Sequence, residues 1–250
     1  MNILVLGNSD TQGVFSDGPT WSGIARDRVA ANLAEEVVVT EAGFSAVSAS
    51  GAAYAERKIR ELSPDVVILP LGTFAFTVGF TWKRIEGLFG KRIAARYRRA
   101  EETFDRRTRE KGEQPHRLNQ AARKLIRRGI GTQPLISQKD LTKNYAEIIR
   151  VISRFEDTDL LLVAYPAERG RHVRVGRIEE RRKGFLADVQ AEANRHHYRL
   201  LDSGPLFAGG ADDGTLLTAD GFHLQRGGHE LLGQAVAAAV VERLGVGVSA

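Results

Sequence analysis

The sequence predicts a three-layer α/β/α domain: a parallel sheet of five strands, helices on both faces and one helical insertion. Three observations carry this. Short, continuous apolar runs alternate with segments of helical period, which is the rhythm of βαβ units. The runs are bounded by Gly, Ser or Pro, as expected of strands buried on both faces. A chain of 250 residues with 42% hydrophobic and 27% charged content makes one soluble domain with a sizeable core.

Taken in order, Ile3-Leu4-Val5-Leu6 is the first strand, and it breaks into the turn Gly7-Asn8-Ser9-Asp10-Thr11-Gln12-Gly13. Thr20 or Ser22 is placed to cap a helix with Trp21, Ile24, Ala25, Val29 and Leu33 on one face. Glu36 to Thr40 reads as the second strand, with Glu41 to Ser45 as the turn after it. Ser48 to Leu62 has helical spacing and is closed by Ser63-Pro64. Asp65 to Leu71 is the third strand, ended by Gly72-Thr73. Leu141 to Phe155 reads as a helix with Leu141, Tyr145, Ile148, Ile149 and Ile152 inward. Leu160 to Tyr165 is the fourth strand, halted by Pro166. A helix over Ile178 to His196 leads to a short fifth strand, Tyr198 to Leu201. Gln225 to Leu244 closes the series, with Leu231, Leu232, Ala235, Val236, Ala239 and Val240 forming its apolar stripe.

The segment between the third strand and the Leu141 helix does not fit this rhythm. Residues 81–130 hold 16 Lys or Arg against 6 Asp or Glu, so the net charge of +5 belongs to this segment and the rest of the chain is mildly acidic. Trp82, Ile85, Leu88, Phe89, Ile93, Tyr97 and Phe104 recur there at loosely helical intervals, and Gly112 to Pro115 breaks the pattern. It reads as an inserted basic helical hairpin within a single 1–250 domain. No helix-turn-helix, zinc-finger or RNA-binding signature accompanies the basic residues, so a lid or an oligomer contact is expected rather than a nucleic-acid partner.

The chain has no cysteine, which excludes disulfides and thiolate metal sites. No basic stretch precedes the first short apolar run, and no segment approaches ~20 apolar residues. The expectation is a cytoplasmic protein with no membrane partner.

Acyl transfer by a serine needs four parts: a nucleophile, a base in hydrogen-bond reach, a group that orients the base, and donors for the oxyanion. Ser9 lies on a tight turn at the carboxyl end of a strand, where open α/β sheets bind ligands. Asp220-Gly221-Phe222-His223 supplies a candidate base, His223, with Asp220 three residues ahead to hold its other ring nitrogen. Backbone N–H groups of Ser9 and Gly43 are candidate oxyanion donors. His229 reads as a helix-face residue rather than a second base.

The block Gly7-Asn8-Ser9-Asp10-Thr11-Gln12-Gly13 resembles the opening G-D-S-x-T-x-G block of the SGNH (GDSL-type) hydrolases. Asp220-Gly221-Phe222-His223, followed by Gly228-His229 and an apolar helix, is similar to their closing D-G-x-H block. Gly43 sits where that family keeps its oxyanion glycine. The resemblance spans nearly the whole chain outside 81–130 and implies a flavodoxin-like sheet. It also implies an esterase chemistry with Ser9 as nucleophile, His223 as base and Asp220 as its partner, and neither metal nor organic cofactor.

Two departures stand out. Asn8 replaces the usual Asp of the first block, a mild change for a residue that shapes a turn. More consequentially, Gly72-Thr73-Phe74-Ala75 stands where the family has G-x-N-D, so Phe74 replaces the Asn whose side chain is the third oxyanion donor. Thr73 and Thr77 are the nearby hydroxyls, and Asp10, Thr73 and Phe74 are candidate substrate-binding residues. The function expected is hydrolysis of a carboxylic ester, a small-molecule or glycan ester such as an acetylated sugar. Two alternatives stand beside it: a catalytically weak or inactive member that binds a partner through its basic insertion, and an acyltransferase using the same triad.

Overall fold

The computed structural model describes residues 1–7, 9, 11, 18–111, 125–126, 128–166, 175–208, 215–218 and 223–245. In chain order the elements are β1 (Asn2–Gly7), α1 (Trp21–Leu33), β2 (Val38–Gly43), α2 (Gly51–Leu62), β3 (Val66–Leu71), α3 (Phe74–Thr77), α4 (Thr81–Phe89), α5 (Lys91–Lys111), α6 (Gln138–Ile152), β4 (Asp159–Ala164), α7 (Val175–Arg195), β5 (Arg199–Asp202) and α8 (Arg226–Arg243). All strand pairs are parallel, in the order β2-β1-β3-β4-β5. That is the flavodoxin-like order, with its topological switch between β1 and β3.

Both faces of the sheet are covered, which is why its strands read as unbroken apolar runs rather than alternations. Ile3, Val5, Val66, Ile68, Leu161 and Val163 share one core with Trp21, Ala25 and Val29 of α1 and Leu232, Val236 and Val240 of α8. The alternate residues Leu4, Leu6, Val67, Leu69, Leu160 and Leu162 are buried too, so the opposite face is equally covered, on the side where α2, α6 and α7 pack in succession. Thr20 caps α1 by accepting the Gly23 N–H at 3.2 Å. The Ser22 hydroxyl then ties that helix to Glu41 of β2.

The boundaries differ from expectation where pairing, not composition, sets them. β2 runs on to Gly43 instead of turning after Thr40, because every residue from Val38 to Gly43 finds a rung on β1, ending at Gly7↔Gly43. α2 begins at Gly51, since residues 46–50 are taken up by turns in which Ser48 C=O accepts the Gly51 N–H.

The chain divides into two compact units, Met1–Phe74 with Gln138–Ala250, and Ala75–Ser137. The second unit is closed at its own base: Ala75 C=O accepts the N–H of Leu135 at 2.9 Å, and Phe80 and Gln133 form an antiparallel bridge. Inside it α4 packs on α5, and Ile85 and Ala94 are buried. Gly90, at φ +83°, makes the corner between the two helices. Gly112 to Pro115 lies outside the described residues. Among the described residues no helix is long and apolar enough to cross a membrane.

Candidate active site

The Ser9 turn is built by close packing at the end of β1. A Cβ on Gly7 would lie 2.2–2.6 Å from three side-chain atoms of Thr11, which folds back over the glycine and is completely buried. Only glycine admits that approach. Ser9, between the two, is half-buried.

His223 is held by a second device, a short antiparallel bridge ahead of α8. Leu217 pairs with Leu224, Thr218 N–H donates to His223 C=O at 2.8 Å, and Gln225 N–H donates to Leu216 C=O at 2.9 Å. Leu217 and Leu224 anchor the bridge in the α1/α8 core. Its seat on the first turn of α8 requires glycine at 228, where a Cβ would meet the Leu216 carbonyl oxygen at 2.2 Å. From this clamp His223 Nε2 reaches Ser9 Oγ at 3.2 Å, across 214 residues of chain. With Nε2 unprotonated, the geometry is that of a base accepting the serine proton. Asp220 and Asp10 lie outside the described residues.

The crevice beside Ser9 has its own cause. β1 pairs with β2 through Gly7↔Gly43 and β3 with β4 through Leu71↔Ala164, yet β1 and β3 pair only as far as Val5↔Ile68. Successive N–H groups of a parallel strand alternate between its two neighbours. Asp159 N–H donates to Asp65 C=O, a phase that turns residues 67, 69 and 71 toward β4 and residues 66, 68 and 70 toward β1. The next rung to β1, on the carbonyl of Leu6, would therefore come from residue 70, which is proline and has no N–H. The strands part there, at the switch point.

Tyr145 of α6 fills in for the lost rungs. Its hydroxyl accepts the Gly72 N–H at 3.0 Å and donates to Pro70 C=O at 3.2 Å, groups in β3 and one residue past its end that face the side β1 has left. The ring sits edge-on to Phe185 at 5.7 Å, and burial pushes the phenol up to about 12, so the hydroxyl stays a donor. Nothing in the sequence motifs marks this residue; the available signal is a tyrosine on the inward face of a helix, whose hydroxyl must find a partner.

Around these strand ends, Gly43 closes β2 opposite Gly7. Phe44 N–H, not that of Gly43, donates across to Gly7 C=O at 2.8 Å, so the Gly43 N–H is not spent on the β1 ladder. Thr73 is buried, whereas Phe74 is 39% exposed, with its ring edge 3.4 Å from where a Cβ on Gly72 would stand. His229 is completely buried rather than on a helix surface. Its Nδ1 accepts the Trp21 N–H, one of the four donors that the start of α1 leaves without an intrahelical partner. Burial holds its imidazole below the ordinary value of 6.5. Among the described residues no three His, Cys, Asp or Glu side chains cluster as a metal site.

Comparison with known proteins agrees with this fold. The model of the GDSL-like lipase/acylhydrolase family matches residues 5–231. A comparison with the curated proteins finds no match. Among solved structures, the lipase/acylhydrolase of Enterococcus faecalis superposes with a TM-score of 0.59 at 18% identity, covering 99% of each chain. The goat-rumen metagenome lipase Lip_vut3 gives 0.58 at 16%, covering 96% of this chain and 97% of its own. The aryl esterase of M. smegmatis, solved with an inhibitor bound, gives 0.56 at 16%, covering 96% of this chain and 98% of its own.

Proposed function

Starting from the fact that this chain belongs to the GDSL-like lipase/acylhydrolase family and is a serine hydrolase of carboxylic esters, we propose that Ser9, His223 and Asp220 are its catalytic triad. The observation that carries the assignment is the 3.2 Å approach of His223 Nε2 to Ser9 Oγ. Ser9 Oγ attacks the acyl carbon while His223 takes the serine proton. His223 then protonates the leaving alcohol, and in the second half-reaction it activates the water that releases the acid. Asp220 holds the other ring nitrogen, fixing the tautomer and stabilising the imidazolium. The N–H groups of Ser9 and Gly43 receive the oxyanion. Asp10, Thr73 and Phe74 border the substrate, and an acetyl ester of a sugar is the first substrate class to try.

Intact-mass measurement after treatment with a small fluorophosphonate tests this. A single adduct on the wild-type protein that is absent from Ser9→Ala is expected. An unmodified, well-folded wild-type protein would overturn the triad. Asp220→Asn should keep the fold and lower kcat on the order of 10⁴-fold.

Phe74 favours a second reading, in which the same triad works slowly on water. Its aromatic side chain stands where the family's third oxyanion donor belongs, and a missing donor costs about 2.7–4 kcal/mol of transition-state stabilisation. An acyltransferase, which prefers another acceptor, would show as faster acyl release when a sugar or alcohol is added beside water.

A further inference from the structure

We infer that the α4–α5 corner of the second unit is a docking surface for an anionic lipid bilayer. The corner reads Gly87-Leu88-Phe89-Gly90-Lys91-Arg92-Ile93. Ile85 and Ala94 of these helices are buried, whereas Leu88, Phe89 and Ile93 stand at 51%, 56% and 51% exposure. Three large, half-exposed apolar side chains within residues 88–93, about the Gly90 corner, are not the scattered surface apolar residues of an ordinary soluble domain.

The charge around them is one-signed. Residues 81–99 carry seven Lys or Arg against the single Glu86, and Lys83 already pairs with that glutamate at 3.1 Å. Lys91, Arg92, Arg96 and Arg99 are exposed and make no ion pair among the described residues. Arg98 instead lies over the Trp82 ring at 5.2 Å, which holds one more cation beside α4.

The combination selects the partner. A nucleic acid would use the cations and have no place for Leu88, Phe89 and Ile93, whose ring and branched chains present no stacking platform in register with a backbone. A bilayer rich in acidic headgroups uses both: phosphates pair with the Lys and Arg side chains while the apolar residues enter the headgroup–acyl boundary. Such a surface lies on a bilayer rather than across it, because neither helix is apolar all round.

Co-sedimentation with phosphatidylcholine vesicles, with and without phosphatidylglycerol, is the test. Binding to the phosphatidylglycerol vesicles only, weakened by added salt, is expected. The variant Leu88→Ser/Phe89→Ser/Ile93→Ser should lose about tenfold or more in vesicle affinity, and Lys91→Glu/Arg92→Glu should lose it as well. Both variants should hydrolyse a soluble ester at the wild-type rate, which certifies their fold and separates this inference from the triad assignment. Three results would overturn it. One is no vesicle binding by wild-type protein. Another is a duplex-DNA or RNA affinity that survives the serine substitutions. The third is a dimer, seen by light scattering, that those substitutions dissolve.

Discussion

His229, on the last helix, takes the backbone N–H of Trp21, on the first, into its Nδ1 at 3.1 Å inside the α1/α8 core. A protonated ring could not accept that bond, so the native fold holds the imidazole neutral. Its native-state affinity for a proton is below the ordinary value of 6.5 because of burial. The unfolded chain therefore binds the proton first as pH falls, and stability is full above that value and declines below it. Denaturant unfolding at a series of pH values should show this decline, and His229→Gln, which keeps an acceptor that does not titrate, should flatten it. His229→Ala leaves the Trp21 N–H without its partner and should cost about 1–3 kcal/mol at neutral pH.

Gly7→Ala sets a Cβ on top of Thr11. The residue lies at the very end of β1, so the sheet core survives while the Ser9 turn shifts. We expect a loss on the order of 10²-fold in kcat, the scale of a misplacement of about one ångström, with a change of only a few degrees in Tm. An equal loss of fold and activity would locate the role of Gly7 in β1 rather than in the turn.

Tyr145→Phe retains the ring against Phe185 and deletes the hydroxyl that spans Pro70 and Gly72. Two backbone groups lose their partner, which should cost about 1–3 kcal/mol in denaturant unfolding. The Gly72-Thr73-Phe74 turn also loses its tether, so kcat should fall more than KM rises. A variant with native kcat would make Tyr145 a stability residue alone.

Phe74→Asn offers the oxyanion a side-chain amide where the ring now stands. If the triad works as proposed, kcat should rise by about tenfold or more while KM changes little, since the new hydrogen bond forms to the transition state rather than to the ground state. A drop in both constants would mean that the Phe74 ring binds substrate.

The strands were legible because burial on both faces writes them as unbroken apolar runs, as in Val66 to Leu71. Their exact ends were not, since the limit of β2 is set by its register on β1, and register is a property of two segments. Short motifs at the two ends of the chain single out Ser9 and His223, and the fold brings the two side chains to 3.2 Å; their roles as nucleophile and base are the proposal made above. Tyr145, Thr11 and His229 are not singled out, because each acts by meeting a backbone or a glycine far from it in sequence or hidden by packing. Leu88, Phe89 and Ile93 share a loose helical period with Ile85, yet the Gly90 corner turns them outward, and no periodicity records where a hairpin bends.

The pairing of α1 with α8 also has a history in time. On a ribosome adding about 5–20 residues each second, Trp21 emerges some 10–40 s before the His229 that receives its N–H, 208 residues later. During that interval the nascent β1 and α1 lack the α8 side chains that cover Ile3, Val5, Trp21 and Val29, and Ser9 lacks the His223 imidazole that it meets in the folded chain. The face shared by α1 and α8 is thus completed only when nearly the whole chain has been made, although β1 is the first strand to emerge. A chain that stops before residue 229 therefore leaves the Trp21 N–H without the acceptor that the full chain supplies.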